Sequence, residues 1–107
     1  MLFETLAVRD LRVYAYTLDG KICHYRDNNG LECDAVVHLP DGHYGLIEIK
    51  LGGDKLIEEG AANLNKLESK LNNKFEPSFK MVLTAVGQYA YLRKDGVWVV
   101  PISALKP

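Results

Sequence analysis

Apolar and polar residues alternate twice between Leu31 and Leu51, in LECDAVVHLPDGHYGLIEIKL, with Pro40, Asp41 and Gly42 separating the two stretches. A period of two over this length predicts half-buried strands, and the interruption predicts a hairpin. Pro40 suits the second position of a type I turn, and Gly42 suits the left-handed residue that closes a three-residue loop. Such a loop pairs Leu39 with His43. Counting back along both strands then sets Val37 opposite Gly45, Asp34 opposite Glu48 and Glu32 opposite Lys50. One face collects Leu31, Cys33, Ala35, Val37, Leu39, Ile47, Ile49 and Leu51 and reads as core. The other carries Asp34, Glu48 and Lys50 among Val36, Tyr44 and Leu46.

Around this hairpin the pattern predicts a simple order of elements. Phe3, Leu6, Ala7 and Leu11 form the stripe of a short amphipathic helix over residues 2–12. Glu4, near its start, would interact favourably with the helix N-terminus. Val13 to Leu18 (VYAYTL) reads as an extended segment, and Asp19-Gly20 as a turn. Lys21 to Asp27 reads as a strand joined to the hairpin through Asn28-Asn29-Gly30, a register that sets Asp27 opposite Leu31, Arg26 opposite Glu32 and His24 opposite Asp34. Gly52-Gly53 and the cap residue Asp54 introduce a helix with its stripe at Ile57, Ala61, Leu64, Leu67 and Leu71, ending near Asn72-Asn73. FKMVLTAV, from Phe79 to Val86, reads as a strand buried on both faces. Gln88 to Lys94 and Val97 to Val100 flank Asp95-Gly96 as a terminal hairpin, and Pro101 to Leu105 leaves room for one helical turn. Helix, three antiparallel strands, helix, strand and short hairpin is an α/β or α+β arrangement.

Composition narrows the function classes. A chain of 107 residues that is 48% hydrophobic and 25% charged supports one domain with one modest core. The formal net charge of −1 provides no overall field for attracting phosphate, so nucleic-acid binding would need a local patch. Lys66, Lys70 and Lys74 recur every four positions and could track phosphates, although a solvated helix face is the more usual explanation and the favoured one. No apolar run reaches membrane-spanning length, and the start MLFETLAVRD lacks a secretory layout, so a cytoplasmic location is the expectation. Cys23 and Cys33 have no metal-binding spacing and read as small buried hydrophobes.

The candidate chemistry lies on the charged face of the hairpin. Two carboxylates directly opposite one another, with Cβ atoms about 4.5–5.5 Å apart, repel. A divalent cation with oxygen ligands would compensate, and so, in part, would the Lys50 ammonium. A cation beside a lysine is suited to phosphodiester hydrolysis, because it polarises the phosphoryl group and acidifies bound water. The structural alternative is a charge ladder in which Lys50 pairs with Glu32, Arg26 pairs with Glu32, and His24 is a hydrogen-bonded structural residue. Burying charges among Val36, Tyr44 and Leu46 is costly, which favours the functional reading.

An acid in one strand, then Glu-x-Lys in the next strand of a hairpin, then a helix resembles the signature of the PD-(D/E)XK nuclease superfamily, with Asp34 as the lone acid and Glu48-Ile49-Lys50 as its second half. The longer run HYRDNNGLECDAVVHLPDGHYGLIEIKLG resembles a nuclease-like domain that follows an AAA+ ATPase module in many bacterial and archaeal proteins. The resemblance implies a restriction-endonuclease-like fold over a single domain, residues 1–107, that is a fragment or stand-alone copy of a unit usually fused to the ATPase. It implies magnesium- or manganese-dependent cleavage of nucleic acid, DNA before RNA. Asp34 and Glu48 would be metal ligands, with the Ile49 carbonyl as a third oxygen. Lys50 would orient water or stabilise transition-state charge, and Glu4 would be an auxiliary acid. Many branches carry a glutamine, or an arginine and tyrosine, on the second helix; here GAANLNKL offers Asn63, Asn65 and Lys66. That departure, together with the weak net charge, supports the alternative of a catalytically inactive nuclease-fold module for protein contacts or regulation of an attached AAA+ ATPase.

Overall fold

A computed structural model of the chain describes residues 2–17, 19–26, 30, 32–71 and 77–104, with the side chains of Leu2, Glu4, Thr17 and Leu71 outside that description. The elements run α1 (Leu2–Thr17), β1 (Lys21–Arg26), β2 (Glu32–His38), β3 (Tyr44–Lys50), α2 (Asp54–Leu71), β4 (Phe79–Thr84), β5 (Tyr91–Leu92) and β6 (Val97–Pro101), followed by a 3₁₀ turn at Ile102–Ala104. The six strands form one sheet in the order β1-β2-β3-β4-β6-β5. β1, β2 and β3 are mutually antiparallel, β4 lies parallel to both β3 and β6, and β5 is antiparallel to β6 at the edge. The architecture is mixed α/β, in three layers.

Each face of the sheet has its own core because each is covered by one helix. Ala7, Leu11 and Ala15 of α1 pack on Ala35, Val37, Ile47, Ile49, Leu83 and Val100. Ala61, Leu64 and Leu67 of α2 pack on Val36, Leu46, Val82 and Val97 from the opposite side. Covering both faces requires strands apolar on both, which is why β4 and β6 read as continuous apolar runs while β1, on the outer edge, does not. The crossover from β3 through α2 to β4 makes that part of the sheet parallel.

The hairpin loop forms as its residues require. The Leu39 N–H donates to the His43 carbonyl at 2.8 Å, the Gly42 N–H to the Leu39 carbonyl at 3.1 Å, and Gly42 has φ 91°. The resulting register sets Val37 opposite Gly45, as the loop predicts. At the start of α2 the Gly53 carbonyl accepts from the Ile57 N–H at 3.0 Å, so Gly53 takes the capping position and Asp54 is the first helical residue.

Three expectations need correction. α1 does not end at Arg12: VYAYT continues the helix to Thr17, because Ala15 extends the buried stripe of Ala7 and Leu11 at intervals of four. Burial of that stripe outweighs the strand preference of the valine and tyrosines. The helix stops where Asp19 turns left-handed, φ 57°, and the Gly20 N–H donates to the Ala15 carbonyl at 2.8 Å. Cys23 is exposed on β1, while only Cys33 is buried. Cys33 also lies on the α2 side of the sheet, apart from Ala35 and Val37 on the α1 side. Asn28, Asn29, the Asp27–Leu31 pairing and Lys74 lie outside the described residues, as does the side chain of Glu4.

Candidate functional site

Cys33 changes face because β2 carries a bulge. Tyr25 stands opposite Cys33 and Cys23 opposite Val36, so Asp34 and Ala35 together oppose the single residue His24. An inserted residue of this kind breaks alternation and re-aims side chains locally. The β2–β3 ladder correspondingly ends at Ala35 and Ile47. Beyond it the Asp34 carboxylate takes the place of a ladder carbonyl, accepting the Ile49 N–H at Oδ2 over 2.8 Å. The Cys33 thiol fills the adjacent space, with Sγ 3.2 Å from the Ala35 carbonyl and 3.3 Å from that of Ile47. Burial pushes this thiol up to about 12, so Cys33 is packing and not a nucleophile.

The bulge brings Asp34 against Glu48. Glu48 is buried, 6% exposed, in the middle of the β2–β3–β4 sheet and beneath α2. Its carboxyl is raised from the ordinary 4.5 to about 8, first by burial, then by the neighbouring Asp34 charge and a hydrogen bond to Asp34. Asn63 and Lys50 oppose that rise without cancelling it. Glu48 therefore holds its proton more readily than an exposed carboxyl does, as burial beside a second acid requires.

α2 completes the site from above. Asn63 donates from Nδ2 to Glu48 Oε1 at 2.6 Å and to the Glu32 carbonyl at 2.9 Å, so one amide group ties both strands to the helix. One turn earlier, Gly60 is buried where a Cβ would sit 3.2 Å from Val82 and 3.4 Å from Cγ of Lys50. The absence of a side chain at Gly60 lets the Lys50 stem lie under the helix, on the same side as Glu48. Asn63 was visible in the sequence only as a residue the second helix offers; its spacing of three from Gly60 places both on the face turned to the strands.

Other candidate residues are placed differently. His24 does not stand beside Asp34 in a regular register: the bulge intervenes, and its Nε2 lies 3.4 Å from Glu32 Oε2. Arg26 faces Glu32 as expected, at 3.5 Å, so Glu32 is held by β1 and not by Lys50. Asn65 has left the site: it accepts from Lys80 at 2.7 Å and donates to Asp95 at 3.0 Å, within a network in which Arg93 binds Glu58 and Asp95 and locks the terminal hairpin to α2. Lys66 and Lys70 are exposed. Among the described residues no group of three or more His, Cys, Asp or Glu side chains is placed to hold a metal ion. The acid centre there consists of Asp34 and Glu48, with Lys50 and Asn63 beside them.

Compared with known proteins, residues 1–105 match the model of a family described as a domain of unknown function, DUF4143. No curated protein and no solved structure matches the chain.

Proposed function

The chain belongs to this family, a domain commonly associated with AAA ATPases, and on that premise we propose that it is a divalent-metal-dependent nuclease-like domain of restriction-endonuclease-like fold that hydrolyses phosphodiester bonds in nucleic acid, DNA before RNA. The observation that carries the reading is the buried Glu48 carboxyl set against Asp34 beneath α2, with Asn63 on its Oε1. A folded protein gains nothing in stability by burying two carboxyls against each other, so the arrangement fits a group that exchanges the proton for a cation. The donor set is of the right kind: two carboxylates supply hard oxygen ligands for magnesium or manganese. Asp34 and Glu48 would hold the cation, with the Ile49 carbonyl as the third protein oxygen and Glu4 as an auxiliary acid. When bound, the cation polarises the phosphoryl group and acidifies a water.

The chain's own residues supply the rest. Asn63 fixes the Glu48 carboxyl by holding Oε1, and the Ile49 N–H fixes that of Asp34. Lys50, its stem packed under Gly60, presents an ammonium beside the acids, where it orients the attacking water or offsets charge as it builds on the phosphoryl oxygens. An adjoining AAA+ ATPase module, in the same or a partner chain, would deliver the substrate.

A second reading has its own support. One oxygen of Asp34 is committed to a backbone N–H, Glu48 is sealed by Asn63, and the acids number two among the described residues. Those features suit a catalytically inactive module that serves protein contacts or regulates the attached ATPase. Incubation with plasmid and single-stranded DNA in magnesium or manganese decides between them: cleavage that disappears in Asp34→Asn supports the nuclease, and its absence alongside measurable metal binding supports the regulatory module.

A further inference from the structure

α2 covers the acid end of the hairpin and leaves the loop end of the same face open, where a pocket of ≈ 350 Å³ lies between β1, β2 and β3. Its floor is the cross-strand pair Val36 and Leu46, both buried; half-buried Tyr25 and Tyr44 and exposed His38 form its walls. We propose that this pocket seats an unpaired nucleobase of a single-stranded nucleic acid whose phosphates run along β1. The proposal rests on the nucleic-acid reading of the acid pair and adds a subsite to it.

Size, chemistry, charge and position converge on that occupant. The volume is within the range of small-ligand sites, roughly 300–1,000 Å³. An apolar floor with aromatic walls and a histidine at the edge suits a flat ring with apolar faces and polar edges, and such stacking platforms accept any base. β1 reads KICHYR and carries no acid of its own, in a chain whose net charge is −1; His24 and Arg26 already meet Glu32 of β2 at 3.4 and 3.5 Å, which leaves Lys21 as the cation at the pocket end. Charges commonly guard an edge strand against pairing, but that task does not require one sign, whereas phosphate does. Lys21 stands opposite His38, at the pocket, and Arg26 opposite Glu32, at the acid end, so the basic strand spans both. Along β2 the pocket residues Val36 and His38 follow Asp34 by two and four positions, so with the bulge between them the pocket lies within about 13 Å of the acids. A strand held at the acids therefore reaches the pocket within a few nucleotides, each stacked one advancing about 3.4 Å. A base paired within a duplex cannot enter a recess in a sheet without leaving its stack, which selects single strands.

Fluorescence anisotropy of the whole chain with a labelled oligothymidylate, in chelator so that no cleavage occurs, tests the subsite. An abasic oligonucleotide of equal length keeps the phosphates and removes the bases. It should bind about 5- to 150-fold more weakly, the range that stacking contributes, and Tyr44→Leu and Tyr25→Leu should lose affinity for oligothymidylate but not for the abasic strand. Lys21→Ala should weaken both strands alike and lower the salt slope by about 0.7. Equal affinity for the two strands, or no binding of oligothymidylate, overturns the base pocket, whatever the cleavage assay shows. Base-dependent binding without cleavage in magnesium or manganese sustains the pocket and overturns the nuclease reading alone.

Discussion

Glu48→Gln should stabilise the metal-free domain, and the gain should grow with pH. The substitution keeps the shape and keeps an oxygen to accept from Asn63, while its amide can donate toward Asp34. In the wild type the Glu48 carboxyl rises from 4.5 unfolded to about 8 folded. Between those values the folded state holds more protons than the unfolded state, so stability falls as pH rises and levels off above about 8. At about 1.4 kcal/mol for each pH unit between the two values, the ceiling on this loss at pH 7 is roughly 3 kcal/mol. The new amide is itself buried and keeps part of that cost, which leaves an expected gain of about 1–2 kcal/mol. For a domain of this size that is a rise in Tm of about 5–10 °C. Thermal melts of both proteins in chelator at pH 5, 6, 7 and 8 measure it, and taking the difference cancels titrations common to both. The two should melt together near pH 5 and diverge toward pH 8. A variant that melts below the wild type at pH 8, or a difference that is the same at every pH, would refute the account of Glu48 as a buried acid strained by Asp34.

Magnesium or manganese at about 100 times its Kd should add roughly 2.7 kcal/mol to the wild type, and the shift should vanish in Asp34→Asn; calorimetric melts with and without metal check both. Lys50→Ala should slow DNA cleavage by about 10²–10³-fold while leaving Tm within a few degrees, whereas a lysine that only neutralises the acids would show unchanged or tighter metal binding and a weaker fold. Gly45→Ala should cost about 1–3 kcal/mol in urea unfolding, because the added Cβ would overlap the Phe79 ring across the β3–β4 pair; an unchanged midpoint would mean that Phe79 has somewhere else to go.

Much of this domain was legible in local pattern. The loop glycine with its positive φ set the β2–β3 register residue by residue, since a hairpin's pairing follows from its turn, and the apolar stripe of α2 set its limits and its buried face. The same count reached Asp34 and Glu48, but the ladder ends at Ala35 and Ile47, and it is the bulge that sets these two acids together. Tertiary structure decided the rest. Whether β2 runs straight or bulges at Asp34-Ala35 is a choice between backbone states of similar local energy; burial of Cys33 beneath α2 and capture of the Ile49 N–H by Asp34 tip it. That bulge set His24 against Asp34 and Ala35 together, with its imidazole at Glu32. The length of α1 depended on whether Ala15 found a sheet to pack on, and the role of Asn63 depended on how closely Gly60 lets α2 approach Lys50 and Val82. Sequence by itself determined which residues could form the acid pair, because register is a property of neighbours along the chain. Only the folded sheet decided how deeply that pair is buried and what holds it, because the Ile49 N–H reaches Asp34 through the bulge and the cover and hydrogen bond on Glu48 come from α2, whose Asn63 lies fifteen residues away along the chain.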